Sequence, residues 1–256
     1  MQMLNIEGIS KNFRGLQALK KVNIDVLPNQ VLGLIGPNGS GKTTLLNVVT
    51  GFLRPTEGIV RFKGESITGL KAHEVARKGI ARTFQLTSVF PNLTVAENIV
   101  RARHLRSTSS TLRSLLQTKG YRDEQAMIEL KCSELMDLLE MEKKKEVLAR
   151  HLAFGEQRKL EIAIALATEP ELLLMDEPAA GMNPDEQKRL IRLVKLIVQQ
   201  MGITVMIVEH NMRVIMGLCD SIAVLDYGVK MAEGTPLEIA HDERVISAYL
   251  GEYELG

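Results

Sequence analysis

The chain of 256 residues is 45% hydrophobic, 25% charged and 4% aromatic, with 20 glycines and 8 prolines, a balance that allows a sizeable core and excludes a disordered or fibrous chain. Lysine and arginine (32) nearly cancel aspartate and glutamate (31), leaving a formal charge of +1, without the basic excess expected of a nucleic-acid-binding protein. Two cysteines, Cys132 and Cys219, stand far apart with no Cys-x-x-Cys or Cys/His cluster, so neither a disulfide framework nor a zinc site is expected and a reducing compartment fits.

The N-terminus, Met1 to Glu7, carries neither a basic stretch nor a long apolar core, which argues against a cleaved signal peptide. No apolar run approaches the roughly 18–20 residues that cross a bilayer. Short apolar runs at Leu4 to Ile9, Val22 to Val26 and Val31 to Ile35 open a strand-rich region. The first two alternate with polar residues, as a half-exposed antiparallel layer does, whereas Val31 to Ile35 does not alternate and reads as a parallel strand covered on both faces.

Directly after that strand comes Gly36-Pro37-Asn38-Gly39-Ser40-Gly41-Lys42-Thr43, and a helical segment from Leu45 to Thr50 follows. This is the phosphate-loop pattern in its required strand-to-helix context. Glycines let the backbone curl so that successive N–H groups converge on phosphate oxygens at the positive end of the helix. Lys42 is placed to neutralise β- and γ-phosphates, Thr43 to offer its hydroxyl to Mg²⁺, and Thr44 to extend the phosphate contacts.

A further strand run, Ile59 to Phe62, precedes a region from about Asn92 to Ala167 in which helical patterns take over. Thr94-Val95-Ala96-Glu97 has capping-box spacing and predicts a helix start. Residues Glu124 to Met141 place Met127, Ile128, Leu130, Leu135, Met136, Leu138, Leu139 and Met141 on one stripe, expected to be core, with a methionine-lined partner groove as the alternative. Arg106 to Thr118, rich in Ser and Thr, reads as an irregular connection.

The run Leu172-Leu173-Leu174-Met175 ends in Asp176-Glu177-Pro178. Asp176 suits a Mg²⁺ contact. Glu177, expected on the opposite side of the strand end because side chains alternate, suits a general base for an attacking water. Ile203 to Val208 reads as another buried parallel strand. Ile222 to Leu225, followed by Asp226-Tyr227-Gly228 and Val229 to Ala232, reads as a hairpin, and Thr235-Pro236-Leu237-Glu238 repeats the helix-cap signature.

These motifs, in this order, resemble the nucleotide-binding subunit of ATP-binding-cassette transporters over nearly the whole chain. The resemblance implies an α/β fold with a phosphate-loop NTPase core, a mostly parallel sheet, an antiparallel β layer and an inserted α-helical subdomain. It implies one nucleotide-binding domain over 1–256, with core at 1–86 and 161–240, helical subdomain at 87–160 and a tail at 241–256. Phe13 resembles the aromatic that stacks on adenine. Gln85, in Arg82-Thr83-Phe84-Gln85, is similar to the glutamine that joins Mg²⁺ and the attacking water. His210 resembles the switch histidine that contacts the γ-phosphate.

The signature segment departs from the family pattern. Leu152-Ala153-Phe154-Gly155-Glu156-Gln157 stands where the family has Leu-Ser-Gly-Gly-Gln, so Ala153, Gly155 and Glu156 are the candidates for reaching the nucleotide of a second subunit, without the serine hydroxyl. Ala180-Gly181-Met182-Asn183 differs from the common Ser-Ala-Leu-Asp. With Val245 to Glu252, these departures resemble the branch that imports branched-chain and other hydrophobic amino acids. The rival within the family is a lipid or lipopolysaccharide exporter, and outside transport a cassette acting on ribosomes or in DNA repair. The resemblance implies ATP and Mg²⁺ and a head-to-tail dimer with an identical or related ATPase. It also implies two transmembrane permease subunits, an external binding protein reached indirectly, no nucleic acid, and a peripheral position on the cytoplasmic face of the inner membrane.

Overall fold

The unbroken apolar runs of the sequence become the centre of a six-stranded sheet. The computed structural model describes residues 2–83, 89–103 and 119–253, and the chain divides into two units, Met1–Arg82 with Glu171–Gly256, and Thr83–Pro170.

In the first unit, β1 (Leu4–Phe13), β2 (Leu16–Val26), β4 (Glu57–Phe62) and β5 (Glu65–Ser66) form an antiparallel sheet in the order β2-β1-β4-β5. The second sheet is formed by β3 (Val31–Ile35), β6 (Ile80–Arg82), β7 (Leu172–Asp176), β8 (Thr204–Val208), β9 (Ser221–Asp226) and β10 (Val229–Gly234), in the order β10-β9-β3-β8-β7-β6. It is parallel from β9 to β6, with β10 antiparallel at its edge. All five residues of β3, β7 and β8 are buried, which is why these runs carry no polar alternation. β1 and β2 alternate, as an antiparallel layer with one wet face requires. The two-residue β5 and three-residue β6 are too short to have left a readable period.

Among the described residues six helices belong to this unit: α1 (Lys42–Val49), α2 (Ala72–Arg77), α6 (Pro184–Met201), α7 (Met212–Leu218), α8 (Pro236–Ala240) and the terminal α9 (Glu243–Tyr253). One buried cluster joins Leu4, Ile6 and Ile24 of the antiparallel sheet, Leu45, Leu46 and Val49 of α1, and Leu32, Leu34, Leu174, Met206 and Val208 of the parallel sheet. Each such side chain contributes about 1.5–3 kcal/mol by leaving water. The β9–β10 hairpin turns through Tyr227 (φ 42°) and Gly228 (φ 79°), two successive left-handed residues that match the twist of the flanking strands. At Thr235 the cap forms as its spacing predicts: its N–H donates to Glu238 Oε2 (2.7 Å), and Pro236 opens α8.

The second unit holds α3 (Val95–Arg103), α4 (Lys119–Leu138) and α5 (Phe154–Ala167), each packed against the other two. The predicted capping box is present, with Thr94 N–H donating to Glu97 Oε2 (2.7 Å) and Glu97 N–H to Thr94 Oγ1 (3.2 Å). The stripe predicted for α4 needs correction. Ile128, Cys132, Leu135 and Met136 are buried, whereas Met127 and Leu130 are more than half exposed; at 100° per residue they fall outside the face that Ile128 and Cys132 define. Leu139 and Met141 are buried but lie beyond the end of the helix. The segment Arg106 to Thr118 lies outside the described residues.

Candidate functional site

Four adjacent parallel strands, β3, β8, β7 and β6, point the same way, so their C-terminal ends share one edge of the sheet, where open α/β sheets bind ligands. In spatial order this edge carries the loop Gly36–Thr43 after β3, Glu209 and His210 after β8, Asp176 and Glu177 at the end of β7, and Arg82 at the end of β6.

The glycine loop is shaped by positive φ at Gly36 (148°), Gly39 (79°) and Gly41 (103°). A Cβ at Gly36 would lie 2.0 Å from the carbonyl oxygen of Leu225, and one at Gly41 would lie 2.7 Å from that of Ala18, so both positions demand glycine for space as well as conformation. The β9–β10 turn braces the loop from behind: Gly228 N–H donates to Ser40 O (3.0 Å), and Lys20 N–H donates to Gly228 O (2.8 Å). Lys42 is buried, with Nζ donating to Gly36 O (2.7 Å) and Pro37 O (2.8 Å). Its ammonium therefore sits inside the curl of the loop. Asn38, Gly39 and Thr43 face solvent, and Thr44 is half-buried. Gly41 is the N-cap of α1 and offers no side-chain acceptor, which leaves the first-turn N–H groups aimed into the loop, as an anion site requires.

Asp176 is engaged by a residue that the sequence did not single out. Arg82 donates from Nη2 to Asp176 Oδ2 and from Nη1 to Asn47 Oδ1, both at 2.7 Å, and the ion pair is nearly dry, with side chains 7% and 9% exposed. Asn47 lies four residues after Thr43, on the same face of α1. Arg82 thus ties the carboxylate to the helix face that carries the Thr43 hydroxyl. A carboxylate and a hydroxyl are hard oxygen donors that fit Mg²⁺ completed by water and phosphate oxygens; among the described residues no group of three or more His, Cys, Asp or Glu could hold a metal by itself. A signal for Arg82 existed, a cation ending a short apolar run, but its partner stands 94 positions away.

Glu177 is the first residue beyond β7. Its φ is 47°, so the chain turns left-handed as β7 ends, while its N–H still donates to Val208 O (2.8 Å). The turn brings Glu177 Oε1 to 3.9 Å from His210 Nδ1, with the imidazole 62% and the carboxylate 30% exposed. Glu209 is fully buried and accepts backbone N–H bonds from Ala179, His210 and Asn211. Burial outweighs these donors and pushes its carboxyl up from the ordinary range. Phe13 ends β1 and is 40% exposed, with Lys11 Nζ 5.0 Å from the centre of its ring. It is an open aromatic face rather than a core residue. Gln85 lies outside the described residues.

In the second unit, Ala153 is the N-cap of α5, with Gly155 in its first turn. Only half of a capping box forms: Ala153 N–H donates to Glu156 Oε2 (3.1 Å), and alanine returns no oxygen. Glu156 also pairs with Lys144. That bond, with the Ala153 N–H, holds its carboxyl below the usual range despite partial burial, so Glu156 serves the helix start. Phe154 is exposed and lies 5.1 Å from the guanidinium of Arg158, which donates to Glu161 (2.8 Å) in a buried pair.

The model of the ABC transporter family matches residues 19–180, and that of the branched-chain amino acid ATP-binding cassette transporters matches residues 229–254. The chain is 38% identical over 250 residues to the high-affinity branched-chain amino acid transport ATP-binding protein LivG of Escherichia coli K12, and 39% identical over 250 residues to BraF of Pseudomonas aeruginosa; each alignment covers 98% of both chains. The ADP conformation of MJ1267, an ATP-binding cassette of an ABC transporter, superposes with a TM-score of 0.86 at 34% identity, covering 98% of this chain and 99% of that one. The chain belongs to the ABC transporter family, among the ATP-binding proteins of its branched-chain amino acid transport branch.

Proposed function

We propose that this chain hydrolyses ATP to drive import of branched-chain or other hydrophobic amino acids through membrane subunits that it does not itself contain. The observation that carries the reading is the shared strand edge, which sets the Lys42 loop, Asp176, Glu177 and His210 side by side. Phe13 offers a face for adenine. The loop N–H groups from Gly36 to Thr44 and the Lys42 ammonium take the phosphates. Thr43 and Asp176, with Gln85, would hold Mg²⁺, which would supply neutralisation of phosphate charge. Glu177 accepts a proton from the attacking water as its oxygen bonds to the γ-phosphorus, and the bond from that phosphorus to the β–γ bridging oxygen breaks. ADP and phosphate are the products, and His210 steadies the γ-phosphate oxygens.

A second cassette, identical or related, pairs head to tail, and the N-terminus of α5 from Ala153 to Gly155 then faces its nucleotide. Among the described residues no helix is long and apolar enough to cross a membrane; the likeness to transport ATP-binding proteins supports a peripheral place on the cytoplasmic face beside two permease subunits and, across the membrane, a binding protein. The match over 229–254 favours amino-acid import over lipid export.

One series tests the reading. Lys42→Ala is expected to abolish ATP binding, whereas Glu177→Gln keeps binding and loses about 10²–10⁴-fold in turnover. Tagged protein from detergent-solubilised membranes of its source cell is expected to bring down two multi-span subunits and a second related ATPase. Recovery of ribosomes, DNA-repair proteins or lipid-export components instead overturns the import reading, and normal turnover of Glu177→Gln overturns the base.

A further inference from the structure

Glu209 closes β8 as a fully buried carboxylate at a position where the strand's own pattern, five buried residues in a row, calls for another apolar side chain. Its two oxygens serve two different loops. Oε1 accepts from Ala179 N–H at 2.6 Å, and Oε2 accepts from His210 N–H at 3.2 Å and Asn211 N–H at 3.3 Å. Ala179 stands two residues after Glu177, within a tight turn in which Ala180 N–H donates to Glu177 O (3.1 Å) and Met182 N–H to Ala179 O (3.1 Å). On one side of the carboxylate is the turn that sets Glu177 at its left-handed φ, and on the other is the start of the loop that presents His210.

We propose that Glu209 is a positioning residue that locks the Glu177 turn to the His210 loop, so that the carboxylate and the imidazole, 3.9 Å apart, meet the γ-phosphate and its water as one rigid pair. The chemistry of the side chain fits this task and few others do. Three backbone N–H donors converge from two segments, and an ionised carboxylate satisfies all of them with acceptor atoms alone. A hydroxyl has a single oxygen and a shorter reach. An amide has the same size and shape, yet it turns a donor NH₂ toward one of the two loops, where N–H already points at it.

This inference rests on the reading of Glu177 and His210 as the hydrolytic pair, and the test separates the two. Full-length Glu209→Gln and Glu209→Ala are compared with the parent and with Glu177→Gln. The measurements are steady-state ATP hydrolysis, titration with a fluorescent ATP analogue, thermal unfolding and backbone amide hydrogen exchange. In Glu209→Gln, kcat is expected to fall about 10- to 100-fold, the loss that a misplacement near 1 Å produces, with KM and analogue affinity within about twofold of the parent. Exchange should rise at the amides of residues 179, 210 and 211 and stay unchanged in the glycine loop. Glu209→Ala should show the same split more strongly; if it does not fold, the isosteric Gln variant carries the test. A kcat within twofold of the parent in Glu209→Gln, beside a crippled Glu177→Gln, overturns the coupling alone. Loss of kcat together with analogue affinity also overturns it, because the residue is then merely structural. Normal turnover in Glu177→Gln overturns the reading of the pair and this inference with it.

Discussion

Arg82→Met is the substitution whose cost follows most directly from the geometry. The guanidinium bonds Asp176 Oδ2 and Asn47 Oδ1 at 2.7 Å each, and less than a tenth of either charged side chain reaches water. Methionine approximates the length of the arginine stem, so little volume is lost, but Asp176 is left as a buried carboxylate without its counter-charge. Breaking a buried pair from one side costs about 3–5 kcal/mol, far more than the roughly 0–1 kcal/mol of an exposed pair such as Lys188–Asp185. For a chain of this size that lowers Tm by about 6–20 °C, taking roughly 2–4 °C per kcal/mol. Urea unfolding followed by circular dichroism measures the loss. The cycle with Asp176→Asn isolates the pair, since the double variant has no stranded charge and is expected to be more stable than the two single losses predict, by about 1–3 kcal/mol. Arg82→Lys should fall between, because one ammonium does not span two acceptors as a planar fork does. A loss below about 1 kcal/mol in Arg82→Met, or additive single losses, refutes the argument that Arg82 holds Asp176 against α1.

Two further outcomes follow from the helix start and the thiols. Ala153→Ser supplies the oxygen missing from the half-formed capping box of α5, and a gain of about 0.5–2 kcal/mol is expected in unfolding experiments; no gain would mean that the Glu156–Lys144 pair already satisfies that helix start. Burial raises the thiol pKa of Cys132 to about 11 and that of Cys219 to about 12, so both are expected to resist alkylation at pH 8 until the protein is unfolded. The same shifts fix a sign. The folded thiols keep their protons while unfolded ones ionise near the ordinary thiol value of 9.0, so stability should decline as pH rises through about 9 and onward. Rapid modification of the native protein at pH 8 would refute the burial.

The elements that sequence predicted well are those whose burial is uniform or whose caps are local. β3, β7 and β8 announce themselves because both faces are covered, and the starts of α3 and α8 because Thr94 with Glu97, and Thr235 with Glu238, satisfy each other across three residues. What sequence missed depends on partners far away in the chain. β6 is three residues long and exists because Ile80 and Ala81 pair with Leu172 and Leu173. The exposure of Met127 and Leu130 was misjudged because hydrophobicity was read without the phase of the helix. Within the site, the phosphate-loop residues and the Asp-Glu pair are local motifs and were legible. Glu177 stands at the strand end where the motif predicts it, and the left-handed φ there, 47°, has no signature in the sequence pattern.

The register of the parallel strands explains why so few residues suffice to build this edge. Leu34 pairs with Val208, and Val208 pairs with Asp176, so a single row crosses β3, β8 and β7 with its side chains on one face. Leu34 and Val208 enter the core beside α1 on that face, and Asp176, in the same row, is carried to the side where Arg82 and Asn47 receive it. One residue further along, Glu177 and Glu209 stand just beyond the ends of β7 and β8. A slip of one residue in β7 would send Asp176 to the opposite face, while Leu173 and Met175 would replace Leu172 and Leu174 on the face they left, since all of β7 is buried. Strand register, and not the uniform burial of β7, therefore fixes the carboxylate. Its place in the register, and not any local feature, sets Asp176 against α1, whereas Glu177 and Glu209 stand in the loops that follow the strands.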